Sequence, residues 1–275
     1  MKNPKHCSLD LDNWKFYLEE DKITTNSRWV TSLSEHPSSG TFVIPKRTDI
    51  PKITKELKEN HHGIWIEEIP YQMIKRFSKE NDLVWSVFGG TGIDYEIATH
   101  LNRQCVVNDI NPKRDFIQFG DSRTFKPCHG QEVSLALLHP PYWDMVKYSE
   151  KEEDGSSKKT LKEFLEWFKE IEKNVDKHLK KDGFVVLACG NLYKNSEEIE
   201  LGEILKYIFL SDGYTLKQHI IKDYGETKGS SARNYNVNYY RQLRGGYGNF
   251  YGDNIYILKK SKSKNNITGI LKEIL

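Results

Sequence analysis

The chain has 275 residues, enough for one large domain or one domain with a modest addition at about 150 residues per domain. Hydrophobic residues are 37%, charged residues 29% and aromatics 12%, which excludes collagen, coiled coil and a wholly disordered chain and fits a globular enzyme or binding protein. The net charge is only +2, but residues 222 to 264 hold nine basic residues against three acidic ones, a surplus of six, so the remainder carries −4.

The start, MKNPKHCSLDLDNWK, lacks the apolar stretch of a signal peptide, and no apolar run approaches the length of a membrane span, so a cytoplasmic protein is expected. The first sixty residues are polar and irregular, with Trp14, Trp29 and the turn-rich HPSSG, and are expected to form an N-terminal arm or appendage. Cys7, Cys105, Cys128 and Cys189 are far apart, and no Cys or His pair has metal-ligand spacing, so reduced, buried thiols and no metal site are expected. His61-His62 reads as a polar loop.

From residue 67 the pattern sharpens. Ile69, Met73, Ile74 and Phe77 recur at helical spacing, and DLVWSVF is a short apolar run that ends in glycines, which predicts helix and then strand. Ile93, Ile97, Ala98 and Leu101 share one face of a second helix, CVVNDI is a second strand, and SLALL at 134 to 138 is a third. The polar EKEEDGSSKK at 150 to 159 has the composition of a mobile loop. The next helix carries Leu161, Phe164, Leu165, Phe168, Ile171, Val175 and Leu179 on one stripe and should end in KKDG, with Gly183 at the C′ position. A strand at FVVLACG, a helix at IELGEILKYIFLSDG and strands at YTLKQHIIK and NIYILKK follow. Short buried strands alternating with helices predict an α/β fold: a mainly parallel sheet with helices on both faces, any antiparallel strands coming last. The expected units are the arm 1 to 60, a catalytic domain 61 to 260, and a charged tail 261 to 275.

Two motifs carry chemistry. The first is a strand, then Phe88-Gly89-Gly90-Thr91-Gly92, then a helix, where missing Cβ atoms let backbone approach a ligand. Asp109 ends the next strand seventeen residues after Gly92, where a carboxylate can accept hydrogen bonds from ribose hydroxyls. No Gly-Lys-Ser/Thr follows the glycines and the GxGxxG spacing is poor, which leaves S-adenosyl-L-methionine as the adenosine cofactor. The second motif is His139-Pro140-Pro141-Tyr142-Trp143 after a buried strand. Two prolines remove two backbone donors and fix φ near −65°, so the loop must be stiff and projecting.

With these motifs the sequence resembles the S-adenosylmethionine-dependent DNA amino-methyltransferases, which methylate N4 of cytosine or N6 of adenine. Their Asp/Asn/Ser-Pro-Pro-Tyr signature is matched by HPPYW, their Phe-x-Gly-x-Gly cofactor motif by VWSVFGGTGI, and GIWIEEIPYQMIKRFS and LKKDGFVVLACGNLY look like their flanking segments. The resemblance spans about residues 61 to 260 and implies a Rossmann-like methyltransferase fold. It implies that Phe88, Gly89, Gly90, Gly92 and Asp109 hold the cofactor with Asp121 near the adenine amine, and that His139, Pro140, Pro141 and Tyr142 handle the target amine. Two departures stand out: Ser86 occupies a position that is commonly acidic, and His139 replaces the usual Asp, Asn or Ser, a change a neutral imidazole tolerates because it can still accept a hydrogen bond. Trp143 and Tyr148-Ser149 look more like the cytosine-N4 branch.

Only 46 residues separate Gly92 from His139, so target recognition is expected outside that interval, in the basic aromatic segment 223 to 254 ahead of the N-terminal arm. There Arg233, Tyr235, Arg241 and Arg244, together with Trp143, are the expected nucleic-acid contacts. The implied partner is double-stranded DNA, not a membrane, with a restriction-modification or orphan role and a second copy or a restriction subunit as protein partner. The alternatives are an RNA methyltransferase acting on guanine N2 or adenine N6, and a nucleic-acid-binding module on a degenerate scaffold.

Overall fold

In the computed structural model the described residues are 28–30, 41–43, 47–59, 61, 63–127, 130–223, 252–261, 265 and 269–270. Their strands are β1 (Arg28–Val30), β2 (Thr41–Val43), β3 (Leu83–Ser86), β4 (Gln104–Asp109), β5 (Gln118–Phe119), β6 (Val133–Leu138), β7 (Leu179–Cys189), β8 (Leu192–Lys194), β9 (Glu197–Ile199), β10 (Thr215–Asp223) and β11 (Gly252–Lys259). The helices are α1 (Lys55–Glu59), α2 (Glu68–Phe77), α3 (Ile93–His100), α4 (Leu161–His178) and α5 (Leu201–Ser211).

Nine strands form one sheet in the order β2-β1-β10-β11-β7-β6-β3-β4-β5, and all neighbours are parallel except β11, which runs antiparallel to both β10 and β7. The chain winds outward from β3 through β4 to β5 and then returns to β6 on the other side of β3. The strand order therefore reverses between β3 and β6, where α/β sheets open a crevice at the carboxyl ends of their strands.

Alternation along the strands sorts the core into two layers. Leu83, Trp85 and Val87 face the layer of α4 and α5, where Phe164, Phe168, Ile171 and Phe209 are fully buried. Val84, Leu135 and Leu137 face the layer of α2 and α3, built on Ile69, Met73, Ile74 and Ile97. Both faces are covered, as the apolar strands required. The fold is a Rossmann-like α/β architecture, a mainly parallel sheet covered on both faces.

Three local expectations are corrected. The helix α4 starts at a complete capping box, with Thr160 and Glu163 bonded to each other's backbone, but ends at His178, before KKDG. Leu179 already pairs with Val133, and a register shift follows before Phe184 pairs with Leu135. In that shift Asp182, at φ +63°, takes the left-handed position expected for Gly183, and its N–H donates to the Lys260 carbonyl at 3.1 Å. Asp is among the residues that enter this region most readily. A second miss is the hairpin β8-β9, which turns through Asn195 and Ser196 at φ +51° and +66°. Third, the polar stretch at 150 to 159 is tied down. Asp154 caps a 3-10 turn at Gly155–Ser157, the Trp167 indole donates to the Glu153 carbonyl at 2.9 Å, and the Tyr148 N–H donates to Ser156 Oγ at 3.0 Å.

The first sixty residues join the sheet more than their polarity suggests, since β1 pairs with β10 and β2 with β1. Ile50 and Ile53 are buried in the α2-α3 layer, and the Ile53 N–H donates to Glu67 at 2.9 Å.

Candidate active site

The crevice at the strand reversal is a cavity of about 630 Å³. One side, the glycine wall, comes from the ends of β3 and β4. The opposite side, the proline wall, comes from the end of β6 together with β10 and β11.

On the glycine wall, Gly89 donates to the Asn108 carbonyl at 2.8 Å, and a Cβ on it would lie 2.7 Å from Val107. Gly90 and Gly92 adopt φ +49° and +77°, conformations costly for any residue with a Cβ. A Cβ on Gly92 would also come within 2.6 Å of the Phe116 ring. Asp109 ties the wall together: one carboxylate oxygen accepts from the Gly90 N–H at 2.9 Å and the other from the Asn111 N–H at 2.8 Å. Each oxygen keeps lone-pair capacity for a ligand hydroxyl. Phe88 lines the cavity, backed by Trp167 with ring centroids 5.9 Å apart.

The position of Ser86 has a counterpart across the turn. Its hydroxyl donates at 2.7 Å to Asp94, whose other oxygen accepts from the Trp65 indole at 3.1 Å. Asp94 is buried and borders the cavity, and burial pushes its carboxyl up to about 6 against the two hydrogen bonds that favour the anion. The negative charge absent from the strand end is thus supplied by the first turn of α3.

On the proline wall His139 is enclosed, and desolvation lowers its imidazole to about 4, so the ring is neutral near pH 7. Trp65 stacks on it at 5.3 Å and 26°. Its Nε2 is 3.3 Å from the Tyr142 hydroxyl, which donates to Asp253 Oδ1 at 3.0 Å, and Lys222 pairs with Asp253 Oδ2 at 3.0 Å. Lys222 and Asp253 are register partners at the ends of antiparallel β10 and β11, which brings both to this rim. Gly190, just after β7, makes the approach possible: a Cβ there would sit 2.8 Å from both the Tyr142 ring and Asp253.

Of the residues singled out in the sequence, Phe88, Gly89, Gly90, Asp109, His139, Pro140, Pro141 and Tyr142 all border this one cavity. Three do not fit their expected places. Gly92 is not among the residues that border the cavity and lies against the Phe116 ring. Asp121 is held by Arg123, which donates from its backbone at 2.9 Å and pairs through its guanidinium at 2.7 Å, and it is the neighbouring Ser122 that reaches the cavity. Trp143, expected at a nucleic-acid surface, is buried at φ +50°. Its indole donates to the Lys158 carbonyl at 2.9 Å, and its face is covered by the Lys194 ammonium at 3.9 Å. Arg233, Tyr235, Arg241 and Arg244 lie outside the described residues.

Sequence reasoning missed His61, Trp65, Asp94, Lys222 and Asp253. His61 reads as part of a polar loop, yet its ring packs near Tyr148 at 5.9 Å and stands where a Gly90 Cβ would be, 3.0 Å from its Nε2. For Trp65 the one available signal was an aromatic just ahead of a helix. Lys222 and Asp253 could have been found only by pairing β10 with β11.

A turn with no room for Cβ atoms, a carboxylate at the next strand end and a buried acid on the same wall fit an adenosine-bearing cation, and the class these define is the S-adenosylmethionine-dependent methyltransferase. The chain belongs to the DNA methylase family, whose sequence model matches residues 133–273. No curated protein matches the chain. Among solved structures it is similar to TrmN from Thermus thermophilus, at 17% identity and a TM-score of 0.45 over 72% of this chain, which spans half (50%) of the TrmN chain. A SAM-dependent methyltransferase from Archaeoglobus fulgidus is similar at 15% identity and a TM-score of 0.46, over 74% of this chain and 98% of that one. Among the described residues no helix is long and apolar enough to cross a membrane.

Proposed function

We propose that this methyltransferase acts on the exocyclic amine of a base in double-stranded DNA, N4 of cytosine ahead of N6 of adenine. The observation that carries the reading is that His139 to Tyr142 and Phe88 to Gly90, with Asp109, border a single cavity at the strand reversal. The preference for cytosine rests on Tyr148, which also borders that cavity, in the sequence Tyr148-Ser149.

Gly90, Gly92 and Asp109 hold the adenosine end of the cofactor, and Asp94 provides negative charge for its cationic end. When bound, S-adenosylmethionine supplies a methyl group on a sulfonium, an electrophile toward an amine. An exocyclic amine is a poor nucleophile because its lone pair is delocalised into the ring. The Pro140 carbonyl and His139 accept hydrogen bonds from the NH2 group, which localises that pair for in-line attack. Transfer of the methyl group to the amine would need no covalent enzyme intermediate, and His139 or solvent would take the surplus amine proton. The base must first leave the duplex, at an unstacking cost of a few kcal/mol, and Tyr142 is the ring on which it stacks.

Residues 223 to 254 read the target in this proposal. At the strand ends from which that segment runs, Lys222 pairs in register with Asp253 and both border the cavity, and Arg233, Tyr235, Arg241 and Arg244 are the contacts it offers. Residues 61 to 260 then act as the catalytic unit.

Incubation with methyl-labelled cofactor and either duplex DNA or total RNA, followed by nucleoside analysis by mass spectrometry, tests the reading. N4-methylcytosine or N6-methyladenine from DNA supports it. Label in RNA alone overturns the DNA assignment, and cofactor binding without label in either overturns methyl transfer to nucleic acid.

A further inference from the structure

We propose that Asp253, acting through Tyr142, holds His139 as the tautomer protonated on Nε2, which leaves Nδ1 as the bare acceptor for the target amine. The inference rests on the proposed amine methylation and specifies how an imidazole performs there.

The Tyr142 hydroxyl has one proton, and its oxygen lies 3.0 Å from Asp253 Oδ1 and 3.3 Å from His139 Nε2. A carboxylate only accepts, so the phenolic proton goes to Asp253, and the contact with His139 is a hydrogen bond only if Nε2 carries the proton. A neutral imidazole has a single N–H, so Nδ1 is left with its lone pair. Desolvation keeps the ring neutral, with its pKa lowered to about 4. Lys222 takes the other Asp253 oxygen at 3.0 Å, and both residues are only 8% exposed, so the ion pair fixes the carboxylate where Tyr142 needs it. Trp65, stacked on the imidazole, holds its plane.

The consequence is chemical. An amine hydrogen facing a bare ring nitrogen is attracted and its nitrogen lone pair is localised, whereas facing a ring N–H it is repelled. Asp253 and Lys222 are therefore positioning residues that set which of these the substrate meets, although neither needs to touch it.

The test uses the full chain labelled with 15N-histidine. Nine histidines contribute signals, and His139→Asn identifies the one of interest. Long-range proton–nitrogen correlation should show His139 with Nε2 protonated and Nδ1 bare, and the reverse assignment overturns the proposal. Tyr142→Phe keeps the ring and removes the oxygen. It should mix or invert the two tautomers and lower kcat by about 10- to 100-fold while cofactor Kd and substrate KM stay within about twofold. Asp253→Asn, whose amide can donate to Tyr142, should shift the signal in the same direction. An unchanged tautomer or unchanged kcat in Tyr142→Phe overturns the proposal even if Asp253→Asn fails to fold. The tautomer is read without substrate, so the assigned form together with no methylated base defeats only the proposed function, and full-rate base methylation by Tyr142→Phe defeats only this inference.

Discussion

The glycine wall and the proline wall of the cavity are assembled over very different distances along the chain. On the glycine wall the key hydrogen bond, from Gly90 to Asp109, joins residues 19 positions apart, one in the turn after β3 and one at the end of the adjacent β4. On the proline wall Tyr142 reaches Asp253 across 111 positions, and the contact exists only because β11 is inserted antiparallel between β10 and β7. The first wall is a property of a local strand-turn-helix-strand unit, and the second is a property of the whole sheet. Backbone shape should therefore govern what the first wall binds, and a side-chain network should govern what the second one does.

The largest expected effect separates the two walls directly. Tyr142→Ala should lower methyl transfer by about 1000-fold or more, since it removes the stacking ring and the partner of His139, while cofactor affinity measured by calorimetry stays within a few-fold. Equal loss of both would merge the walls into one unit. The reciprocal change comes next: Asp109→Ala should weaken cofactor binding by roughly 10- to 100-fold, the worth of one or two hydrogen bonds to a charged group, and leave kcat at saturating cofactor nearly intact. Unchanged affinity would remove Asp109 from the binding role.

A pH profile sharpens the contrast further. Protonation of His139 abolishes its acceptor, and with its pKa lowered to about 4 kcat at saturating cofactor, where protonation of Asp94 near 6 costs only affinity, should persist as the pH falls to 5.5, whereas a solvated histidine with a pKa of about 6.5 would already have lost about tenfold. A midpoint near 6.5 in kcat/KM that disappears in His139→Asn would show the ring to be solvated. The smallest effect concerns stability. The folded state raises the Asp94 carboxyl from 3.8 to about 6, so it binds that proton more tightly than the unfolded chain does. This carboxyl thus disfavours folding increasingly from about pH 4 to 6, with the full cost present above. Asp94→Asn should accordingly gain about 1–2 kcal/mol at pH 8 and nothing near pH 4, read as a Tm rise of a few degrees only at the higher pH.

The same contrast explains what could be read in advance. Alternating apolar strands and helices, the crowded glycines and the paired prolines act through local sterics, so the fold class, the glycine turn after β3 and the proline loop after β6 were legible from the residues themselves. Asp94 was hidden because its partners, Ser86 and Trp65, meet it only when α3 packs over β3. Lys222 and Asp253 were hidden because β10 and β11 are separated by a long basic stretch and their register is a tertiary fact. Trp143 misled for the opposite reason: an aromatic beside a recognition motif suggests a surface ring, yet the left-handed backbone at that residue turns it under Lys194 and into the core. Asp121 misled because Arg123, two residues on, captures it first.

The pairing of Asp223 with Gly252 has an evolutionary corollary. A segment that departs and returns on a single rung can be lengthened, shortened or exchanged without disturbing any strand below it. On the proposed reading, in which residues 223 to 254 recognise the target, exchanging that segment would change the target and leave the methyl-transfer site on its own strands.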